Sequence, residues 1–183
     1  MKRVTRQEIL DYVTYEEQRK QIREKIMNIK ELRRINVAGV LSFLFENTDT
    51  VRYQIQEMIR VERIVKETDI LHEINTYNEL LGDSGELGCT LLIEIDDHDE
   101  RDEKLIQWLE LPKHLYLSLE DESKIRASFD ERQIGDARLS SVQYIKFNTG
   151  GKTPVAIGSD LPMLKAETAL TADQKKALSE DLL

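Results

Sequence analysis

A chain of 183 residues, 40% hydrophobic and 33% charged, has the make-up of one folded domain with a sizeable core. Its formal net charge of −9 weighs against a nucleic-acid partner and against an anionic membrane surface, both of which require basic protein surface. A single cysteine, Cys89, excludes an internal disulfide, no apolar run approaches membrane-span length, and no apolar stretch follows Met1-Lys2-Arg3; the expectation is a cytoplasmic protein.

The chain begins with helix signals. Thr5-Arg6-Gln7-Glu8 and Thr14-Tyr15-Glu16-Glu17 both have capping-box spacing. They predict a short helix near 6–12 and a long one near 15–34, so that residues 1–35 form a helical N-terminal part. Tyr15, Ile22, Ile26 and Ile29 make one stripe of the long helix, widened by Met27 and Leu32. Arg19, Lys20, Arg23, Lys25 and Lys30 make its outer face basic and solvated. "NVAGVLSFLFEN" (Asn36–Asn47) reads as a buried strand, with Gly39 allowing a bend, bulge or turn near its start.

A helix follows from Asp49 to about Lys66. Thr68-Asp69 caps another over 70–81, which ends at Gly82. "CTLLIEID" is a strand, "DHDERDEKLIQWLEL" an acid-led short helix, and "HLYLSLE" with "SKIRASFD" a hairpin. "SVQYIKFN" and "PVAIGSD" are strands joined by a hairpin turn at "TGGKT". A helix capped at Thr171 runs from about Ala172 to Asp181, within a C-terminal segment 170–183, and is short enough to dock loosely or fray. The order of elements predicts a single α+β domain over 1–183. N-terminal helices pack on one face of a mainly antiparallel sheet of about six strands.

Charge is unevenly spread. Residues 1–36 hold ten Lys or Arg against six acids, and residues 86–136 hold six against fifteen. A basic helical end and an acidic sheet end attract each other or partners of opposite sign.

No catalytic motif stands out. "TGGKT" is similar to the end of a phosphate loop, but Lys146 stands where the first glycine is required and no helix follows. "DDHDERDE" lacks the calcium-loop order and reads as an acid-rich helix start. His72, His98 and His114 form no metal-spaced pair, and Cys89 reads as a small core residue. No cofactor and no metal are expected.

The helix from Asp49 carries the one candidate site. On a helical wheel Val51, Ile55, Met58, Ile59, Val61 and Val65 share one side, with Glu62 in their midst and Gln54 at their edge. A carboxylate in an apolar stripe is costly unless paired, so Glu62 is a helix-end mate of Lys66, a member of a buried network, or a functional group. Tyr53, Glu57, Arg60 and Ile64 share the opposite side, which is too mixed for a plain solvated face. Asn78 brings an amide near the same core.

"LFENTDTVRYQIQEMIRVERI" (Leu44–Ile64), "INTYNELL", "TLLIEI" and "PVAIGSD" resemble a bacterial family of unknown function whose genes often neighbour rubrerythrin and a cysteine-rich iron–sulfur reductase. The sequence departs from that family at "GSDLPML" (Gly158–Leu164), where a His-Pro pair and an aromatic are expected. The resemblance implies a cytoplasmic protein associated with peroxide or oxygen defence. The first expectation is therefore a non-enzymatic accessory protein that binds a redox partner protein through Arg52, Tyr53, Gln56, Glu57, Arg60 and Arg63. The second is a small-molecule-binding protein or enzyme. Its pocket would lie between helix 49–66 and the sheet, lined by Glu62, Gln54 and Asn78, with Arg52 or Arg60 holding an anion and Glu62 or Glu57 acting as base.

Overall fold

The structure, a computed structural model, describes residues 1–135 and 137–183. The first eleven residues are an extended strap with a single 3-10 turn at Arg6–Glu8, in place of the helix expected over 6–12. The Thr5–Glu8 capping box forms, but it closes on that one turn. Helix α1 (Tyr12–Glu31) then starts earlier than Thr14 predicts. The Asp11 carboxylate accepts from the Val13 and Thr14 N–H groups, which makes Asp11 the cap and puts Thr14 inside the helix.

The run Asn36–Asn47 is two strands and not one: β1 (Arg34–Val37) and β2 (Leu41–Glu46) form a hairpin. Ala38 and Gly39 sit at φ 54° and 72°. The pairing of Val37 with Leu41 leaves a three-residue loop over 38–40, in which the Val40 N–H donates to the Val37 carbonyl at 3.4 Å. Helix α2 (Thr48–Glu62) is capped by Asn47, whose side chain accepts from Thr50 N–H. It stops at Arg63, in the left-handed conformation at φ 53°, short of the expected Lys66. Helix α3 (Glu67–Asn78) follows. Gly82 is not its cap. A Cβ there would stand 2.1 Å from the Glu86 carbonyl oxygen, so the glycine permits a close backbone approach.

The remaining elements are β3 (Glu86–Ile93), α4 (His98–Gln107), α5 (Leu111–His114), β4 (Leu115–Leu119), β5 (Lys124–Arg126), β6 (Ser128–Phe129), β7 (Val142–Asn148), β8 (Pro154–Leu161), β9 (Leu164–Ala169) and α6 (Ala172–Asp181). The α+β class holds, but the strands form two antiparallel sheets. One runs β1-β2-β3-β7-β6 and the other β5-β4-β8-β9. The "TGGKT" turn therefore crosses from one sheet to the other and is no hairpin.

The two sheets share one core. Phe43, Phe45, Leu91 and Phe147 from the first meet Leu117 and Ile157 from the second, with Leu105 of α4 and Leu178 of α6 in the same cluster. A second core lies on the helix side, where Val51, Ile55 and Ile59 of α2 meet Ile70 and Ile74 of α3, Leu81, and Val4 and Ile9 of the strap. The sheets are linked at both edges of the sandwich. The chain passes from β5 to β6 through Ala127, and so from one sheet to the other. At the other edge the Thr168 hydroxyl of β9 donates to the Asn36 carbonyl of β1 at 2.9 Å, and Gln174 of α6 donates to the Arg34 carbonyl at 3.0 Å. Open strand edges invite pairing with other chains, and here side chains occupy two carbonyls of β1.

The C-terminal helix is firmly seated, against the expectation of fraying. Thr171 caps it as predicted, Leu178 is fully buried, and Asp181 forms a bidentate pair with Arg33 just past α1 at 2.7 and 2.9 Å.

Candidate functional site

Gln56, Asn78, Arg52, Glu57 and Tyr53, among the residues singled out on α2 and α3, are engaged within the chain. Gln56 is buried and clasps the strap. Its Oε1 accepts from Leu10 N–H at 2.5 Å, and its Nε2 donates to the Leu10 carbonyl at 3.3 Å. Asn78 does the same to Val4, accepting at 2.8 Å and donating at 2.9 Å. Each amide thus stands in for a strand neighbour, satisfying both backbone groups of one strap residue. Arg52 pairs with Asp49 and reaches Glu8 at 3.5 Å.

Glu57 ties α2 to α1. Arg19 donates to it at 2.8 and 2.9 Å, and the Tyr15 hydroxyl donates at 2.5 Å. The Arg19 bonds, opposed by burial and helped by Tyr15, hold the Glu57 carboxyl below the usual carboxylate range. Burial first, and then the Glu57 charge, push the Tyr15 phenol far above its ordinary value. Arg60 stands 3.7 Å from Glu57 and 3.9 Å from Glu16, and its buried Nε has no hydrogen-bond acceptor among the described residues. Tyr53 lies under the Lys30 ammonium, 5.3 Å from its ring centre. The mixed face of α2 is thus covered by α1 and the strap.

Gln54 is half-buried, and Glu62 and Arg63 are exposed. Glu62 sits in the last turn of α2, where Val61 is 65% exposed, and Val65 beyond it is 80% exposed. The apolar stripe continues only as far as the core beneath it, so the wheel that placed Glu62 among apolar side chains counted residues past its end. No Glu62–Lys66 ion pair forms among the described residues.

Between α2 and the sheet lies a different carboxylate. Glu46, 1% exposed at the end of β2, accepts from the Thr50 hydroxyl at 2.6 Å and the Thr90 hydroxyl at 2.8 Å. The sequence held the signal. Alternation along "LSFLFE" puts Ser42, Leu44 and Glu46 on one face, the face that α2 covers. A small cavity of about 140 Å³ lies between the strap, α1 and α2, against Tyr15, Ile26, Tyr53 and Gln56.

A groove of about 770 Å³ opens on the other side of α3. It exists because the helix layer is narrower than the sheet. At Gly88 of β3 a Cβ would stand 1.8 Å from the Leu80 carbonyl oxygen, so the segment after α3 rests directly on that strand. Beyond it β7 turns Tyr144, 42% exposed, and Lys146 toward the helix side, while Gln143, Ile145 and Phe147 face the inter-sheet core. Glu73, Thr76 and Tyr77 of α3 form one wall of the groove and Ser128 and Asp130 another, with Tyr144 and Lys146 as floor. Past the short β6, the edge of β7 is closed by Gln133. It accepts from Tyr144 N–H at 2.8 Å and donates to the Tyr144 carbonyl at 3.1 Å. Sequence reasoning passed over this groove, because nothing local in "INTYNELL" or "SVQYIKFN" says where the helix layer stops.

Cys89 is buried in the core, where desolvation pushes its thiol well above the ordinary range. His114 sits away from the groove, its Nδ1 2.9 Å from Asp160, which also pairs with Arg126 at 2.5 Å. Among the described residues no group of three or more His, Cys, Asp or Glu stands close enough to hold a metal ion.

The sequence pattern of a family described as "Protein of unknown function (DUF3501)" matches residues 3–182. The chain belongs to that family. A crystal structure of a novel protein of unknown function from Burkholderia pseudomallei K96243 is similar over its whole length. Identity is 27%, each chain is covered 100%, and the TM-score is 0.91. No curated protein matches the chain. The match over 3–182 takes in the strap and α6 as well as both sheets, so the elements that close the fold lie within the DUF3501 pattern.

Proposed function

We propose that this DUF3501 protein is a non-enzymatic accessory protein that binds a redox partner protein, and that the groove beside α3 receives it. The observation that carries this reading is the uncovered helix-side face of β7, with Tyr144 42% exposed at the floor of a groove of about 770 Å³. Tyrosine is a common interface anchor, offering a large apolar body with a polar tip. The α2 face, by contrast, is taken up by the chain's own strap and α1. The identity of the partner class rests on the resemblance to the family whose genes neighbour rubrerythrin and an iron–sulfur reductase. A cytoplasmic site in peroxide or oxygen defence follows from the same resemblance.

The experiment is affinity capture from native cells with wild-type protein and with Tyr144→Ala. The reading expects a rubrerythrin or an iron–sulfur reductase to be retained by the wild type and lost with the variant. Equal retention of that protein by both would move the interface elsewhere, and retention of neither redox protein by the wild type would overturn the reading.

A further inference from the structure

Two aromatic side chains and three carboxylates meet in the groove beside α3: Tyr77 and Tyr144 with Glu73, Glu79 and Asp130. The cations that share its lining are engaged. Arg3 donates to Asp83 at 2.7 Å and to the Asn78 carbonyl, and Lys146 stands 3.8 Å from Glu86. Asp130 is bound by Arg132 within its own turn. Glu73 and Glu79 have no cationic partner within ion-pair distance among the described residues. Burial first, and the Glu73 carboxylate next, raise the Tyr77 phenol above its ordinary value, with Tyr144 adding to the shift; these groups share one local field.

The faces of aromatic rings attract cations, and a carboxylate beside them adds both charge and hydrogen-bond acceptors. An anionic occupant would meet only repulsion from Glu73 and Glu79. Guanidinium fits this mixture better than ammonium, since it stacks flat on a ring while its edge forks onto a carboxylate. Resting on the partner-binding role proposed above, we infer that the groove is a site for an organic cation, an arginine side chain on an exposed segment of the partner. That side chain stacks against Tyr77 and Tyr144 and pairs with Glu73. The acidic run at Asp96–Glu103 is denser in carboxylates, but it forms the exposed start of α4 and lies outside the groove.

The test titrates ¹⁵N-labelled protein with acetylated, amidated hexa-arginine, and with hexa-glutamate as control. Saturable shifts are expected at α3 and β7 with hexa-arginine alone. Its Kd should weaken by about tenfold or more in Tyr144→Ala and in the double variant Glu73→Gln/Glu79→Gln, and stay within about twofold in Asp99→Asn/Glu100→Gln. Shifts confined to α4, or groove variants that bind hexa-arginine as wild type does, overturn the cation site. The same variants tested with the redox protein separate the two claims. A complex lost in Tyr144→Ala but untouched by Glu73→Gln/Glu79→Gln keeps the partner and removes the cation. Hexa-arginine bound at the groove, with no redox protein ever retained there, keeps the cation site and removes the partner.

Discussion

Arg33 and Asp181 stand 148 positions apart, and each side chain is 8% exposed. Removing one member leaves a buried charge without its counterpart, so Arg33→Ala and Asp181→Ala should each cost roughly 3–5 kcal/mol. The double variant should cost clearly less than the two together, read by urea denaturation in a double-mutant cycle. Glu57 supplies a pH test. Its folded-state carboxyl is held below the ordinary 4.5, chiefly by the Arg19 hydrogen bonds. Its stabilisation is therefore full above the unfolded value and is lost as pH falls through the folded one. Glu57→Gln should lower stability at pH 7 by roughly 1–3 kcal/mol. The gap to wild type should narrow below about pH 4.5 as the wild-type carboxylate takes up its proton. A gap that stays constant down to pH 3 would mean that the Arg19 bonds contribute nothing ionic.

The strap is the element on which the helix layer depends. Val4 and Ile9 complete a core with α2 and α3, and two amides, Gln56 and Asn78, hold its backbone. Deleting residues 1–10 should expose Ile55, Ile59 and Ile74, and amide exchange across α2 and α3 should rise far more than in β3 or β7. Gln56→Ala should cost about 1–3 kcal/mol, because the Leu10 backbone loses both partners. Local signals made much of this fold readable from sequence. Thr171 starts α6, and the alternation of "HLYLSLE" and "SKIRASFD" gives the β4–β5 hairpin. Where a local signal was ambiguous, tertiary context decided. Asp11 outcompeted Thr14 as cap, and of the bend, bulge or turn that Gly39 allows, the structure takes the turn and makes a hairpin. Strand β9, "LKAETA", was missed because Lys, Ala and Glu favour helices; its place on the sheet comes from pairing with β8. The internal roles of Gln56, Glu57 and Asn78 were not legible, because their partners lie 46, 42 and 74 positions away, a distance that no periodicity spans.

Across the whole molecule, the chain passes from one sheet to the other between β5 and β6, and side chains occupy the Asn36 and Arg34 carbonyls of β1 and the Tyr144 carbonyl of β7. The side-chain face of β7 next to α3 is open. Tyr144→Ala should change folding stability by no more than about 0.5 kcal/mol, as for other half-exposed surface positions, which frees it to report on binding. With a net charge of −9, any association through this groove should weaken as salt rises if the partner is basic there. The most direct measurement of the proposed role is calorimetric titration of the protein with a rubrerythrin and with an iron–sulfur reductase from the same cell, in wild type and Tyr144→Ala. Saturable binding of one of them, lost or greatly weakened in Tyr144→Ala at unchanged stability, is the predicted result. No heat with either protein, or a Kd that Tyr144→Ala leaves unchanged, would contradict it.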